Sequence, residues 1–285
     1  MRLVTYEYKG KMSIGVLVQD RVVSLDAIAS DMQALIGLGE QGLTQVQQTI
    51  KLSAESVPLN QVTLLAPIPR PNKNIFALGR NYAEHHKESV GAWGDKMGPP
   101  IVFSKAPTSV NAPFGNIIID PAVSLEVDWE VELALIMGRR ARKIAQKDAL
   151  NYVYGYMVLN DVSARDLQNR TSQFFVGKSI DGYCPMGPWI VTADEIPDPQ
   201  SLDLRCRVNG IVKQEGNTRD MIYSIAYIIE DLTRMMTLEP GDIITTGTPA
   251  GVGFVRKPPE FLKPGDVLES EVEKIGMLRN KVVGV

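Results

Sequence analysis

The chain is poor in thiols and in imidazole. Its 285 residues include two cysteines, Cys184 and Cys206, and two histidines, His85 and His86. The thiols stand far apart without a ligand-like spacing, which excludes a disulfide framework and a cysteine-based zinc site and leaves two buried free thiols as the expectation. Positive charge is not in excess either. Thirty Lys and Arg stand against 33 Asp and Glu, for a net charge of −3. No stripe of Lys and Arg is interleaved with aromatics, so no nucleic-acid partner is expected. Long apolar runs are missing as well. Nothing approaches the ~20 residues of a membrane-spanning helix, and the opening Met1-Arg2-Leu3-Val4-Thr5-Tyr6-Glu7-Tyr8 has no apolar core of signal-peptide length. A cytoplasmic protein without membrane partners is expected. With 44% hydrophobic and 22% charged residues, the composition is that of a folded protein with room for one large core, or for a main domain and a small companion.

What is present is an unusual run of acids. In Glu126–Gly138, Leu125, Val127, Trp129, Val131 and Leu133 share one parity and Glu126, Asp128, Glu130 and Glu132 the other, which predicts a single β-strand. Residues two apart on a strand face lie roughly 6.5 Å from one another, so one cation can bridge Glu130 and Glu132 but not all four acids. Such a row is either a solvated face or a set of carboxylates whose repulsion a cation offsets. No Lys, Thr or Ser interrupts this one.

The rest of the chain sets that strand in context. Residues 3–24 read as a meander of short strands with turns at Lys9-Gly10 and Gln19-Asp20. Leu25 to about Ser53 reads as helical, broken by Gly37, Gly39 and Gly42 into two short helices. The prolines of Ala66-Pro67-Ile68-Pro69-Arg70-Pro71 mark a boundary. We therefore expect a small α+β domain over residues 1–68 and a main domain over 69–285. After a short strand from Ile75, the segment Gly79–Glu88 carries both histidines. On a helix His85 and Glu88 are i, i+3 neighbours, so the carboxylate can orient the imidazole as a general base. Gly91, Gly94 and Gly98 read as hinges of a loop with Trp93 as an apolar plug, so residues 80–98 are expected to act as a lid.

A buried strand over Val153–Leu159 ends in Asn160-Asp161, where Asp161 is a turn residue or a third oxygen ligand. Gly177-Lys178-Ser179 lacks the upstream glycine of a P-loop. Thr218–Met236 reads as a helix capped by Asp220. The loop Thr245-Thr246-Gly247-Thr248-Pro249-Ala250-Gly251-Val252-Gly253 has the glycines that let backbone N–H groups approach a bound anion.

Taken together, Gly79-Arg80-Asn81-Tyr82, His85-x-x-Glu88, Asp128-Trp129-Glu130-Val131-Glu132, Asn160-Asp161-Val162-Ser163-Ala164-Arg165-Asp166, Gly177-Lys178 and Thr246–Gly253 resemble the fumarylacetoacetate hydrolase family from about residue 70 onward. The resemblance implies a β-rich α+β roll, a homodimer, and a site for Mg²⁺ or Mn²⁺. Glu130, Glu132 and Asp161 then match the metal ligands, and His85 with Glu88 the water-activating dyad. Lys178 matches a catalytic lysine, and Arg165, Gln168 and Thr248 match substrate-holding positions. Leu78 stands where longer eukaryotic fumarylacetoacetases carry a fourth acid, which points to the smaller bacterial branch. An oxygen-only ligand set suits a hard ion. The activity so implied is hydrolysis of a C–C bond in a 2-oxo acid such as an acylpyruvate. Oxaloacetate decarboxylation, isomerisation on the same site, or a non-catalytic metal-binding member are the alternatives.

Overall fold

Antiparallel hairpins open the chain because the turn residues allow them. Lys9 (φ 51°) and Gly10 (φ 76°) both take left-handed backbone between strands Arg2–Tyr8 and Lys11–Val18, the twist that closes a two-residue hairpin. A computed structural model describes residues 1–52, 56–95 and 98–285; the expected helix end at Ser53, and Lys96 and Met97 of the expected lid, lie outside them. Among the described residues the main sheet has twelve strands. Ten of them run Ser56–Pro58, Arg21–Ser24, Lys11–Val18, Arg2–Tyr8, Cys184–Thr192, Val153–Asn160, Val131–Met137, Ile243–Thr245, Ile75–Gly79, Ile101–Lys105; Thr63–Leu65 pairs with Arg2–Tyr8 and Val110–Asn111 with Cys184–Thr192 off this path. The first strands of the chain thus continue the sheet that holds the acidic stretch.

Both faces of this sheet are covered. Leu133, Leu135 and Met137 pack on one side with Leu204, Leu268, Leu278 and Ile229, from a five-stranded sheet and the helix Ile225–Met235. Ala134 and Ile136 pack on the other with Leu35, Ile36 and Val46, from the helices Met32–Gly37 and Gly39–Lys51. A strand with a core on each face has no solvent side. The architecture is α+β and rich in sheet.

Four local expectations change. The acidic stretch is two strands, Val127–Asp128 and Val131–Met137, interrupted at Trp129-Glu130. The first pairs with Ser163–Ala164 instead of joining the main sheet. The C-terminal helix starts at Ile225, and the cap is the Ser224 hydroxyl, which accepts from the Tyr227 N–H; Asp220 closes a separate 3-10 turn, Thr218–Asp220. Gly42 sits inside the helix Gly39–Lys51 instead of breaking it; a Cβ there would lie 2.9 Å from Leu38 Cβ and 3.0 Å from the Leu35 carbonyl, so glycine lets the preceding helix end pack close. Gly91 lies in a helical turn, Val90–Trp93, so the hinge expected there is not a loop. Cys184 and Cys206 are buried and free.

Candidate active site

The antiparallel register builds the acid cluster. Val131 faces Asn160 and Glu132 faces Leu159, so one step further Glu130 faces Asp161, and the Asp161 N–H donates to the Glu130 carbonyl at 2.8 Å. Glu130, Glu132 and Asp161 therefore share one sheet face. Each offers a carboxylate oxygen, and these atoms lie within 4.8 Å of one another. The three are 5%, 1% and 0% exposed, which rules out the solvated reading of the acidic row.

Cations surround the cluster. Lys178 Nζ donates to Glu130 Oε2 and to Asp161 Oδ2, both at 2.8 Å. Arg165 Nε donates to Asp128 Oδ1 at 2.6 Å, its Nη2 to Glu130 Oε1 at 2.7 Å and its Nη1 to Gln168 Oε1 at 2.9 Å. Lys105, unremarked in the sequence, is fully buried, and its Nζ donates to Asp161 Oδ1 at 2.5 Å and to the Lys178 carbonyl. Four carboxylates thus face three cations. Burial alone raises the Glu130 carboxyl, but Lys178 and Arg165 more than reverse this and lower it to about 2. Glu132 goes the other way, pushed well up by burial and then by Asp161 and Glu130.

Glu132 is the odd member. Its Oε2 accepts from the Thr245 hydroxyl and from the Gly247 N–H at 2.7 Å. Its Oε1 is buried and has no partner among the described residues. A lone buried acceptor is costly, and Oε1 is therefore a place for a cation to bind. The oxygen-only donors, the mutual repulsion and the orphaned oxygen fit a divalent cation held by Glu130, Glu132 and Asp161.

The dyad lies alongside. On the helix Ala83–Glu88, His85 Nδ1 is 2.7 Å from Glu88 Oε1. The carboxylate can only accept, so Nδ1 carries a proton, and in the neutral imidazole Nε2 is then the atom with the free lone pair. Glu88 is itself held by the Gly251 N–H, at 3.1 Å to Oε1 and 2.9 Å to Oε2. Gly251 has φ 106°, and a Cβ there would meet the Lys213 carbonyl at 2.1 Å, so only glycine presents that donor. The glycine loop expected to approach an anion binds the chain's own carboxylates, Glu132 through Gly247 and Glu88 through Gly251. His85 is 3% exposed and lies near enough to Glu130 for charge to act between them.

Gly177 serves a similar purpose for Lys178. A Cβ at Gly177 would lie 2.4 Å from the Gln168 N and 2.5 Å from the Ala164 carbonyl, so glycine lets the turn Phe175–Lys178 press against Arg165–Gln168 and aim the lysine inward. Thr248 lies one layer back, where its hydroxyl donates to the Val131 carbonyl at 2.9 Å and accepts from Gln214 Nε2 at 2.7 Å. Sequence reading missed Lys105 and the Asp128–Arg165 pair as parts of the cluster. Their signal, a lysine closing a β-run and an acid of the same parity as Glu130, is too common to single out.

Residues 74–283 match the family model described as fumarylacetoacetate (FAA) hydrolase C-terminal, and residues 1–67 the model described as Rv2993c-like, N-terminal. The chain is 37% identical over 301 aligned positions to the oxaloacetate tautomerase YisK of Bacillus subtilis (strain 168), covering 99% of this chain and 100% of that one. A fumarylacetoacetate hydrolase from psychrophilic Exiguobacterium antarcticum has a similar structure, with a TM-score of 0.87, 38% identity and full coverage of both chains. The maleylpyruvate hydrolase from Sphingobium sp. SYK-6, solved with manganese(II) and pyruvate, gives a TM-score of 0.82 at 32% identity, covering 100% of this chain and 99% of that one.

Proposed function

The chain belongs to the fumarylacetoacetate hydrolase family of enzymes that act on 2-oxo acids, and from that premise we propose that it is a divalent-metal-dependent oxaloacetate keto–enol tautomerase. The observation that carries the reading is the His85–Glu88 pair, with a buried imidazole, beside three convergent carboxylates. Glu130, Glu132 and Asp161 would hold Mg²⁺ or Mn²⁺. A cation bound there draws electron density from the keto oxygen of a 2-oxo acid and so acidifies its C3 hydrogens.

The chain's own groups move the proton. His85 Nε2 takes a hydrogen from C3 as a proton, a proton from solvent adds at the 2-oxygen, and His85 then returns its proton to solvent, so the enol forms and the base is regenerated with no net gain or loss of atoms. Glu88 stabilises the imidazolium that exists between these events. Lys178 and Arg165 place positive charge where negative charge builds at the oxygen, and Gln168 orients the guanidinium. The likeness to an oxaloacetate tautomerase at 37% identity over essentially the whole of both chains supports this reading. Loss of the enol absorbance of oxaloacetate, followed with metal-loaded protein and with His85→Ala, tests it; equal rates in both would overturn it.

Hydrolysis of an acylpyruvate is the second reading, favoured by the likeness to maleylpyruvate hydrolase. It uses the same dyad to deprotonate water, and pyruvate release from an acylpyruvate panel separates the two. A cytoplasmic homodimer completes the proposal. Light scattering decides the oligomer, since a mass near 31.4 kDa means a monomer.

A further inference from the structure

Four aromatic rings stand between the charged cluster and solvent. Trp93 lies 5.8 Å from Phe174 and 5.1 Å from Phe254, centroid to centroid, and Phe103 lies 5.6 Å from Phe174. These are separations of rings in contact, so the four form one continuous wall. Its inner side touches the site. The Arg165 guanidinium carbon is 4.3 Å from the Phe254 centroid, and Lys178 Nζ is 5.2 Å from that of Phe103. The Phe254 N–H also donates to Asp128 Oδ2 at 2.9 Å. The rings themselves are only half-buried, whereas Arg165, Lys178, Glu132 and Asp161 behind them are almost fully buried.

Each ring rides on a segment that also supplies the site. Phe103 shares its strand with Lys105, and Phe174 immediately precedes the turn of Lys178. Trp93 follows the dyad helix and is tied by its Nε1–H to Asn169 Oδ1 at 3.2 Å, and Phe254 follows the Gly251 loop. A 2-oxo acid whose head lies among the carboxylates and cations therefore has rings around its tail. We propose that this wall sets the length of tail the site accepts, with Trp93 and Phe174 as the specificity-determining pair. The inference rests on the 2-oxo acid reading given above. A tail that outgrows the space under the rings must displace one of them, and misfit by a methylene discriminates by about 10-fold or more.

The test compares four- to eight-carbon 2-oxo acids in two ways, by kcat/KM and by calorimetric affinity for the Mn²⁺-loaded protein. The wild type should favour the short end. Trp93→Ala and Phe174→Ala should raise the eight-carbon to four-carbon ratio by about 10-fold or more, with oxalate affinity held within a few-fold. Where an alanine variant does not fold, Trp93→Phe and Phe174→Leu carry the same test at smaller amplitude. An unchanged ratio in both positions, with oxalate still bound, overturns the wall and leaves the 2-oxo acid reading standing. Failure of the wild type to bind oxalate or any 2-oxo acid overturns both.

Discussion

Glu130, Glu132 and Asp161 stand on or beside central strands with a core on each face, whereas His85 and Glu88 stand on a six-residue helix at the rim. The acids are held by the register of a long sheet and by Lys105, Lys178 and Arg165, all fully buried. The dyad helix is held to the rest of the fold by hydrogen bonds instead of buried ion pairs: Asn81 just before it donates to the Tyr223 and Thr246 carbonyls, the Gly251 N–H donates to Glu88, and Trp93 beyond it donates to Asn169. Groups that hold a cation gain from fixed spacing, while a base that must admit substrate and then exclude water gains from a segment able to move. Strength of anchoring thus follows the task of each half.

The largest effect is expected at the three carboxylates. Glu132→Ala should abolish calorimetric Mn²⁺ binding and, with it, all turnover of 2-oxo acids. Retention of both would show that the rigid half serves another purpose. On the other half, His85→Ala should cut turnover by about 10²- to 10⁴-fold, while oxalate affinity of the Mn²⁺-loaded protein stays within a few-fold. A parallel collapse of oxalate affinity would mean that the two halves are not separable.

Lys105→Met sharpens the contrast through stability. Removing one partner of a buried ion pair costs about 3–5 kcal/mol, and urea unfolding of the metal-free protein should show a loss of that order. Mn²⁺ should restore part of it, because the cation takes over the charge of Asp161; an unchanged midpoint would remove Lys105 from the supporting shell. The smallest effect is dynamic. Amides in residues 80–95 should exchange more slowly with oxalate and Mn²⁺ present, while those of Val131–Met137 stay protected throughout. Equal protection of 80–95 in both states would mean that there is no lid.

Much of the cluster was legible because period-two alternation carries a face assignment with it. The spacing of Glu130 and Glu132 suffices to put both on one side of a strand, and the spacing of His85 and Glu88 suffices for an i, i+3 pair. Asp161 was legible only as an acid at a strand end, open between a turn role and a ligand role. The helix over Thr218–Met236 was misplaced at its start because Ile222 continues the apolar spacing while Ser224 supplies the cap, and periodicity carries no information on which polar residue closes a helix. A glycine inside a helix costs only about 1 kcal/mol, so Gly42 as a helix breaker and Gly91 as a loop hinge are both weak signals; at Gly42 close packing against Leu35 and Leu38 offsets the cost.

Local covalent chemistry and side-chain pattern determined the hairpin at Lys9-Gly10, the acid face, the dyad and the α+β character, since each depends on residues a few positions apart. Contacts across long separations needed the tertiary structure. Lys105 and Asp161 are 56 residues apart, Glu88 and Gly251 are 163 apart, and Trp93 meets Phe174 and Phe254 from three separate segments. No periodicity links such residues; they meet because strands pair in one register and glycines permit close approach. The same packing decided that the acidic row would be buried, and so turned four charges on a strand pattern into a site with one unpartnered oxygen.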